Sequence, residues 1–226
     1  MFMKHLIDSP IIRRLKKELR EKAPDWLYCL VENPYRILLP GYPKAVFFPR
    51  SKKCWLVLSK GLKLYWPIFT KSARHSLGVG IGLKEYEHYF KVLPDDVVLD
   101  VGACFGNTTL LFAKKARKVI AIEPEPLNVA CLQLNVFINK LRNVCIVKKA
   151  AWNCKTRLKL NISEYAGWHS IVLKESVIGF IEVEADTLDN IVSELGVEKV
   201  NFIKINIEGA EIEALEGGVK NLRHSR

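Results

Sequence analysis

A short apolar run that ends in a carboxylate and two glycines is the first stretch of the chain able to do chemistry. Val97–Val101 is too short for a helix and predicts a strand buried on both faces, with Asp100 near its end. Gly102 and Gly106 bracket a tight loop, and Asn107–Thr109 offers capping side chains for a following helix. A strand, a glycine loop and a helix together favour a nucleotide-type ligand, because the helix end presents free N–H groups.

Two further sets of polar residues stand at the ends of later predicted strands. Glu123 ends the second strand, where a carboxylate is well placed to accept the hydroxyls of a ribose. Lys204, Asn206 and Glu208 alternate along the last predicted strand, so a period of two puts them on one face. Burying three polar groups there costs several kcal/mol unless they are paired or line a cleft, and the pattern therefore indicates a site.

The glycine loop favours S-adenosylmethionine over a dinucleotide. A dinucleotide fingerprint requires G-x-G-x-x-G, whereas this loop reads D-x-G-x-x-x-G and has Cys104 in place of the second glycine. Asp100 would repel a pyrophosphate but suits the cationic methionine part of S-adenosylmethionine. Cys104 lies near a helix start, as reactive thiols do, but we expect it to serve packing or backbone contact.

Strands and helices alternate after residue 84, which predicts an α/β fold with a doubly wound, mostly parallel sheet. The predicted elements are a helix over 86–93, strands over 97–101, 118–122, 144–147 and 200–207, helices over 127–138, 187–195 and 210–216, and an antiparallel pair over 157–162 and 180–183. Asp186 is the expected cap of the helix over 187–195.

The residues before this alternation are basic and differently patterned. Residues 1–91 carry 18 Lys and Arg against 7 Asp and Glu, while the remainder carries 17 against 17. Residues 3–22 predict a basic amphipathic helix interrupted near Pro10, followed by a small β-rich lobe. The strands expected in the lobe cover 35–39, 45–48, 55–58 and 62–66. We therefore predict a helix and lobe over 1–78 and a Rossmann-like domain over 79–226.

Composition excludes several classes of protein. No apolar run approaches the roughly 18 residues of a membrane-spanning helix, and a secretion signal is not expected from the first residues. The six cysteines show neither a C-x-x-C pair nor metal-type spacing, so we expect a reduced, cytoplasmic protein without a metal site. The histidines lack ligand-type neighbours and are expected to be structural or superficial, although Trp168-His169-Ser170 lies in an excursion that borders the cleft.

Four runs of the sequence resemble the FkbM-type methyltransferases, a branch of the Rossmann-fold enzymes that use S-adenosylmethionine. These runs are VVLDVGACFGNTT, IAIEPEP, VEADTLDNIV and FIKINIEGAEIEALEGG, and the resemblance covers about residues 80–218. It implies transfer of a methyl group from S-adenosylmethionine, usually to an oxygen of a sugar, a natural product or a similar acceptor.

The resemblance also assigns roles to individual residues. The cofactor-binding set is Asp100, Gly102, Ala103, Cys104, Gly106, Asn107, Thr108, Glu123, Pro124 and Asn153, with Glu123 at the ribose and Asn153 at the adenine amino group. Lys204, Asn206, Glu208 and Glu211 match the final motif, near the expected acceptor, and the first three are the candidate catalytic residues.

Two departures from the family pattern bear on activity. The family usually has Asp where this chain has Asn206, and an asparagine can neither act as a general base nor bind a metal as a carboxylate does. Glu208 is then the candidate base, or the reaction relies mainly on positioning the acceptor against the sulfonium methyl. A structural role for Glu208 in fixing its turn is equally open. The family fold also continues past Gly218 with about three more strands. The resemblance therefore implies a sheet in the strand order 3-2-1-4, numbered along the chain, that stops at an open edge. We expect an incomplete domain or a partner, such as a second copy, over that edge.

Three functions are therefore open. The leading one is O-methylation of a sugar-like or small-molecule hydroxyl with S-adenosylmethionine. The second is RNA methylation that uses the basic amino-terminal region, although this charge equally fits simple solubility. The third is a non-catalytic, methyltransferase-like binding module.

Overall fold

The structure is a computed structural model that describes residues 10–38, 45–50, 54–59, 61–70, 86–88, 91–174, 177–223 and 225. In chain order the elements are α1 (Pro10–Lys22), α2 (Asp25–Leu38), β1 (Ala45–Pro49), β2 (Cys54–Ser59), β3 (Leu62–Pro67), β4 (Val97–Val101), α3 (Thr109–Ala113), β5 (Lys118–Ile122), α4 (Pro126–Ile138), β6 (Val144–Val147), β7 (Ala150–Ala151), β8 (Thr156–Ser163), β9 (Val177–Asp186), α5 (Leu188–Glu194), β10 (Phe202–Ile205), α6 (Glu211–Glu216) and α7 (Val219–Leu222). Among these residues, no helix has the length and apolar character needed to cross a membrane. The predicted domain boundary at residues 78 and 79 lies outside the described residues and stays a prediction.

The predicted amino-terminal helix is confirmed over residues 10–22, where proline suits the first position of a helix. Its predicted part over 3–9 lies outside the described residues. The strand predicted over 35–39 is wrong, because α2 continues through Pro34 to Leu38. A side chain replaces the missing strand pairing: Asn33 accepts from the backbone N–H of Phe47 at 2.8 Å and donates to its carbonyl at 3.0 Å. These two bonds hold α2 against β1.

The predicted β-rich lobe is confirmed as an antiparallel sheet in the order β1-β2-β3. Its inner face buries Trp55, Val57, Leu64 and Trp66, and this core extends onto α4. The side chain of Asn135 on α4 joins the two parts, because it pairs with the backbone N–H and carbonyl of Tyr65 and donates to the carbonyl of Phe105. The lobe is therefore fastened to the helix that packs beside the glycine loop.

The central sheet is parallel in the order β10-β4-β5-β6, which confirms the predicted order 3-2-1-4. All five residues of β4 are buried, as an apolar strand covered on both faces requires. The carboxyl ends of β4, β5 and β10 meet at one edge of this sheet, where open α/β folds bind their ligands.

A second sheet, in the order β7-β9-β8, contains the predicted antiparallel pair as β8 and β9. The segment that connects this pair, residues 164–176, reaches over the carboxyl edge of the central sheet and is described as far as residue 174. Two local predictions need correction. The side chain of Thr187, rather than Asp186, caps α5, and residues 86–88 form a turn where a helix over 86–93 was expected.

Candidate functional site

Asp100 is fully buried at the end of β4 and is surrounded by donors. One carboxylate oxygen accepts from the hydroxyls of Thr108, at 2.9 Å, and Thr109, at 2.6 Å. The other oxygen pairs with the ammonium of Lys204 at 3.0 Å, which lies directly opposite on β10. The threonines therefore do not cap α3 with their side chains, as the sequence had suggested, but bind Asp100. Asp100 thereby holds the loop from below, and its expected contact with the cofactor stays a prediction.

Lys204 fixes the same loop from the neighbouring strand. Its ammonium donates to the carbonyls of Gly102, at 2.8 Å, and Val101, at 3.2 Å. Burial alone would lower the pKa of Lys204, but the charge of Asp100 outweighs burial and the pKa is raised. A lysine that stays charged and is fully engaged positions the loop and is not free to exchange a proton with a substrate.

Gly102 allows the glycine loop to pass directly over the end of β10. Its φ of +74° is in the left-handed region, and an added Cβ would lie 2.0 Å from the carbonyl oxygen of Asn206. Any side chain at residue 102 would push the glycine loop away from the segment that contains Asn206. The glycine thus explains how the loop and the Asn206 segment come to share one site.

Glu123 lies at the end of β5 and is buried. Its carboxylate accepts from the backbone N–H of Cys104 at 2.9 Å, from the N–H of Glu125 at 3.0 Å, and from the amide of Asn128 at 3.3 Å. Burial raises the pKa of Glu123 to about 7, although these three hydrogen bonds oppose the shift. The carboxylate is therefore poised to change charge near neutral pH.

Cys104 has the backbone role that the sequence favoured. Burial, and then the charge of Glu123, raise the pKa of its thiol well above the usual value. The thiol donates to the carbonyl of Ala166 at 3.3 Å. A thiol held neutral in this way is a poor nucleophile.

The last motif departs from the expected geometry. Strand β10 ends at Ile205, so Lys204, Asn206 and Glu208 do not share one face of a strand. Glu208 lies in a turn with φ of +55°. The carboxylate of Glu211 holds this turn, since it accepts from the backbone N–H groups of Ile207 and Gly209, each at 2.9 Å.

The side chain of Glu208 is therefore not needed to hold this turn. Its carboxylate has no hydrogen-bond or ion-pair partner among the described residues, and partial burial is the main reason that its pKa is raised. Glu211 adds to this shift and Lys204 opposes it. Of the two roles that the sequence left open for Glu208, fixation of the turn belongs to Glu211.

Two cavities meet above the sheet edge. The inner cavity is bounded by Gly102, Glu123, Asn128, His169 and Glu208. The outer cleft is bounded by Trp66, Tyr86, Tyr165, Trp168 and Lys204 and encloses about 470 Å³. Both cavities are lined by a shared set of residues: Gly102, Cys104, Ala166, Gly167 and Asn206.

Residues 165–168, the tip of the segment between β8 and β9, cover the inner cavity. The carbonyl of Ala166 accepts from the amide of Asn128 at 3.1 Å as well as from Cys104. The covered space is about 60 Å³, whereas pockets for drug-sized ligands measure roughly 300–1,000 Å³. The enclosed space is therefore smaller than the pockets that hold such ligands.

Two residues of the inner cavity escaped sequence analysis. The side-chain oxygen of Asn128 and the Nε2 atom of His169 are both buried without a hydrogen-bond partner among the described residues. Asn128 follows Glu123 by five residues in the first turn of α4, and this spacing is the one sequence signal that could have found it. For His169, the sequence indicated only a position near the cleft.

The remaining predicted residues are divided between the site and its surroundings. Pro124 lines the inner cavity, and Asn107 and Thr108 line the outer cleft. Ala103 and Gly106 pack against Leu132. Asn153 lies on the surface, where its amide donates to Glu216 at 3.0 Å, and it lines neither cavity.

No group of three metal-ligating side chains occurs in the described ranges.

The chain resembles two curated archaeal proteins over short segments. It is 44% identical over 57 residues to a probable ribosomal RNA small subunit methyltransferase A of Methanosphaera stadtmanae, covering 25% of this chain and 21% of that protein. It is 36% identical over 72 residues to an uncharacterized protein of Methanocaldococcus jannaschii, covering 31% of this chain and 28% of that one. The chain thus spans less than a third of the length of either relative.

Among solved structures, a methyltransferase FkbM from Methylobacillus flagellatus aligns with a TM-score of 0.43 and 19% identity, covering 60% of this chain and 32% of that one. The sequence model of the methyltransferase FkbM domain matches residues 100–226, more than half of the chain. This match confirms the predicted family. The strand order of the structure confirms the predicted α/β fold with a parallel sheet, and the chain belongs to the FkbM methyltransferase family.

Proposed function

We propose that this protein transfers the methyl group of S-adenosylmethionine to a hydroxyl of a sugar-like small molecule. The observation that carries the proposal is the pair of cavities that meet at Gly102, Cys104 and Asn206, beside the unpartnered carboxylate of Glu208. In this proposal the inner cavity takes the methyl donor and the outer cleft takes the acceptor. Their shared wall is then the place where methyl and hydroxyl meet.

The cavity proposed for the methyl donor supports this assignment, because its side chains offer hydrogen-bond acceptors to the ribose. The two oxygens of Glu123 already accept three hydrogen bonds, two at Oε1 and one at Oε2. A carboxylate has about four lone-pair sites, so Glu123 can take one ribose hydroxyl without breaking a contact. The buried side-chain oxygen of Asn128, which lacks a partner among the described residues, can accept the second.

The acceptor side is aromatic and nearly uncharged. Five aromatic residues line the outer cleft: Trp66, Tyr86, Phe105, Tyr165 and Trp168. Lys204 is the one charged residue among the described residues of its lining, and Asp100 already neutralises it. Flat apolar ring faces beside polar amides fit a neutral acceptor such as a sugar better than a phosphorylated one.

Glu208 is the proposed base. Transfer to an alcohol forms the O–CH₃ bond, breaks the S–CH₃ bond to release S-adenosylhomocysteine, and sets free the hydroxyl proton. A carboxylate with a raised pKa is suited to accept that proton. Asn206 lines both cavities and can hydrogen-bond the acceptor, although its amide cannot act as the base.

RNA is the second candidate acceptor, on one specific observation. The net charge of +11 lies wholly in residues 1–91, and the described side chains of Arg14 and Lys17 on α1 are exposed. The similarity to a probable ribosomal RNA methyltransferase is in keeping with this alternative. Binding through phosphates would weaken steeply as salt is raised.

The test combines calorimetry with a transfer assay. We expect S-adenosylmethionine and S-adenosylhomocysteine to bind the wild-type protein, Glu123→Ala to abolish binding, and the distant surface variant Glu216→Gln to leave it unchanged. In the transfer assay, the labelled methyl group should then enter a fraction of small carbohydrates rather than RNA. If neither ligand binds, the proposal is overturned. If the label enters RNA alone, RNA replaces the sugar-like molecule as the proposed acceptor.

The ionisation of Glu123 predicts a pH dependence of ligand binding. A charged carboxylate accepts a ribose hydroxyl more strongly than a protonated one, so affinity for S-adenosylhomocysteine should rise about tenfold as pH increases through about 7. Calorimetry between pH 5.5 and 8.5 measures this change. Glu123→Gln should bind weakly with a flat profile, and an equally steep profile in that variant would contradict the assignment.

The same pKa predicts the stability of the unliganded protein. A pKa raised from 4.5 to about 7 means that folding favours the protonated form, so this stabilisation is complete below pH 4.5 and is lost as pH rises through about 7. The full shift corresponds to about 3 kcal/mol. Urea unfolding should therefore show wild type losing stability relative to Glu123→Gln between pH 5 and 8.5.

A further inference from the structure

His169 presents one ring nitrogen to the inner cavity. Its Nε2 atom is buried and has no hydrogen-bond partner among the described residues, although the ring lines the cavity. An unpaired buried donor costs about 1–3 kcal/mol. Such an atom at the wall of a binding cavity therefore points to a ligand atom that completes it.

The opposite ring nitrogen fixes the tautomer. The backbone N–H of Ser163 donates to Nδ1 at 3.0 Å, so Nδ1 is unprotonated and Nε2 carries the hydrogen. Burial lowers the pKa of His169 to about 4, which keeps the ring neutral near pH 7. Phe69 contacts the ring edge-on, with 4.5 Å between centroids, and holds its orientation. His169 is thus a fixed, neutral donor.

The position of His169 does not depend on the tip that covers the cavity. Ser163 holds the ring on one side, and the next residue, Ser170, is anchored on the other. The hydroxyl of Ser170 donates to the carbonyl of Glu208 at 2.5 Å and accepts from the N–H groups of Val172 and Leu173. The tip at 165–168 can therefore lift while His169 remains in the wall.

The rest of the wall fits a purine. Apolar side chains line the inner cavity around these polar groups: Ile122, Ala150, Ala151, Leu160 and Ile171. Adenine has flat apolar faces, and its unsubstituted ring nitrogens are acceptors without hydrogens. A neutral donor in an apolar slot is the complement of such an atom.

We propose that the Nε2–H of His169 donates a hydrogen bond to a ring nitrogen of the adenine of the methyl donor. This inference rests on the proposed function, because it places the adenosine of S-adenosylmethionine in the inner cavity. It gives the adenine a recognising side chain in the place of Asn153, which lies outside the cavity.

Two substitutions separate ligand recognition from a structural role. The side-chain oxygen of Asn lies near the place of Nδ1, so His169→Asn keeps the acceptor for Ser163 and deletes the donor. The amide nitrogen of Gln lies near the place of Nε2, so His169→Gln keeps the donor and deletes the acceptor. We expect His169→Asn to weaken S-adenosylhomocysteine binding about 5- to 100-fold with an unchanged Tm. His169→Gln should bind within about threefold of wild type but melt at a lower temperature.

The inference is supported if His169→Asn binds S-adenosylhomocysteine more weakly than His169→Gln but melts at a higher temperature. A merely structural histidine would make His169→Gln the worse variant in both measurements. Deaza analogues of S-adenosylhomocysteine, with one ring nitrogen replaced by CH, identify the atom. One of the 1-, 3- and 7-deaza analogues should lose about 5- to 100-fold on wild type and nothing further on His169→Asn. Equal binding of all three to wild type overturns the inference, whereas failure of S-adenosylhomocysteine itself to bind overturns the proposed function.

Discussion

Replacement of Lys204 by Met should lower the free energy of unfolding by about 3–5 kcal/mol, as the loss of one partner from a buried ion pair does. The substitution leaves the carboxylate of Asp100 charged and fully buried, with only two hydroxyl donors. It also removes the donors to the carbonyls of Val101 and Gly102. Urea unfolding monitored by circular dichroism measures the loss, and S-adenosylhomocysteine affinity should fall with it because the glycine loop is no longer held.

The matched control removes both charges. Asp100→Asn combined with Lys204→Met leaves no unpaired buried charge, so we expect the double variant to be more stable than Lys204→Met alone. Lys220→Met, an exposed lysine on α7, should stay within about 0.5 kcal/mol of wild type. Losses that simply add in the double variant would contradict the buried pair as the reason for the instability.

Much of the sheet could be predicted from the sequence, because the patterns that indicate its strands and helices are local. Apolar runs such as Val97–Val101 and the alternation of strands with helices predict a parallel sheet, and the family resemblance implies the order of its strands. The positions of Asp100, Glu123 and Lys204 at strand ends then place them on one edge. The family resemblance points in the same direction, since its motifs lie on those strand ends.

The roles of these residues were less predictable because they depend on register. Asp100 lies opposite Lys204 only because β10 pairs with β4 at that offset, which no local pattern encodes. Thr108 and Thr109 stand at the start of α3, as the sequence predicts, but their hydroxyls bind Asp100 instead of capping the helix. A residue expected to face the methionine part of the cofactor therefore supports the loop from beneath.

The orphaned atoms of Asn128 and His169 were beyond sequence analysis for a different reason. Each atom is conspicuous only because it is buried and lacks a partner within the described structure, and burial is a tertiary property. The strand predicted over 35–39 is wrong for a similar reason, since contacts of Tyr28 and Asn33 with the lobe hold residues 25–38 as a helix. Tertiary contacts decided each of these cases.

Replacement of Glu208 by Gln should reduce the rate of methyl transfer by about 100- to 10,000-fold, which is the usual contribution of a general base. The substitution preserves shape and removes the proton acceptor, while Glu211 continues to hold the turn. Binding of S-adenosylhomocysteine should stay within about threefold of wild type, because the loss falls on the chemical step. The measurement is labelled methyl transfer at saturating donor, to the acceptor that the transfer assay identifies.

Three controls decide whether Glu208 or its neighbours carry the proton. Glu208→Asp should retain part of the activity, and Asn206→Asp supplies the carboxylate usual in the family and should restore activity to Glu208→Gln. Glu211→Gln should lower Tm, because it weakens the acceptors of two backbone N–H groups. If Glu208→Gln instead weakens donor binding and leaves the rate at saturation unchanged, Glu208 holds the cationic end of the donor and the base must be sought elsewhere.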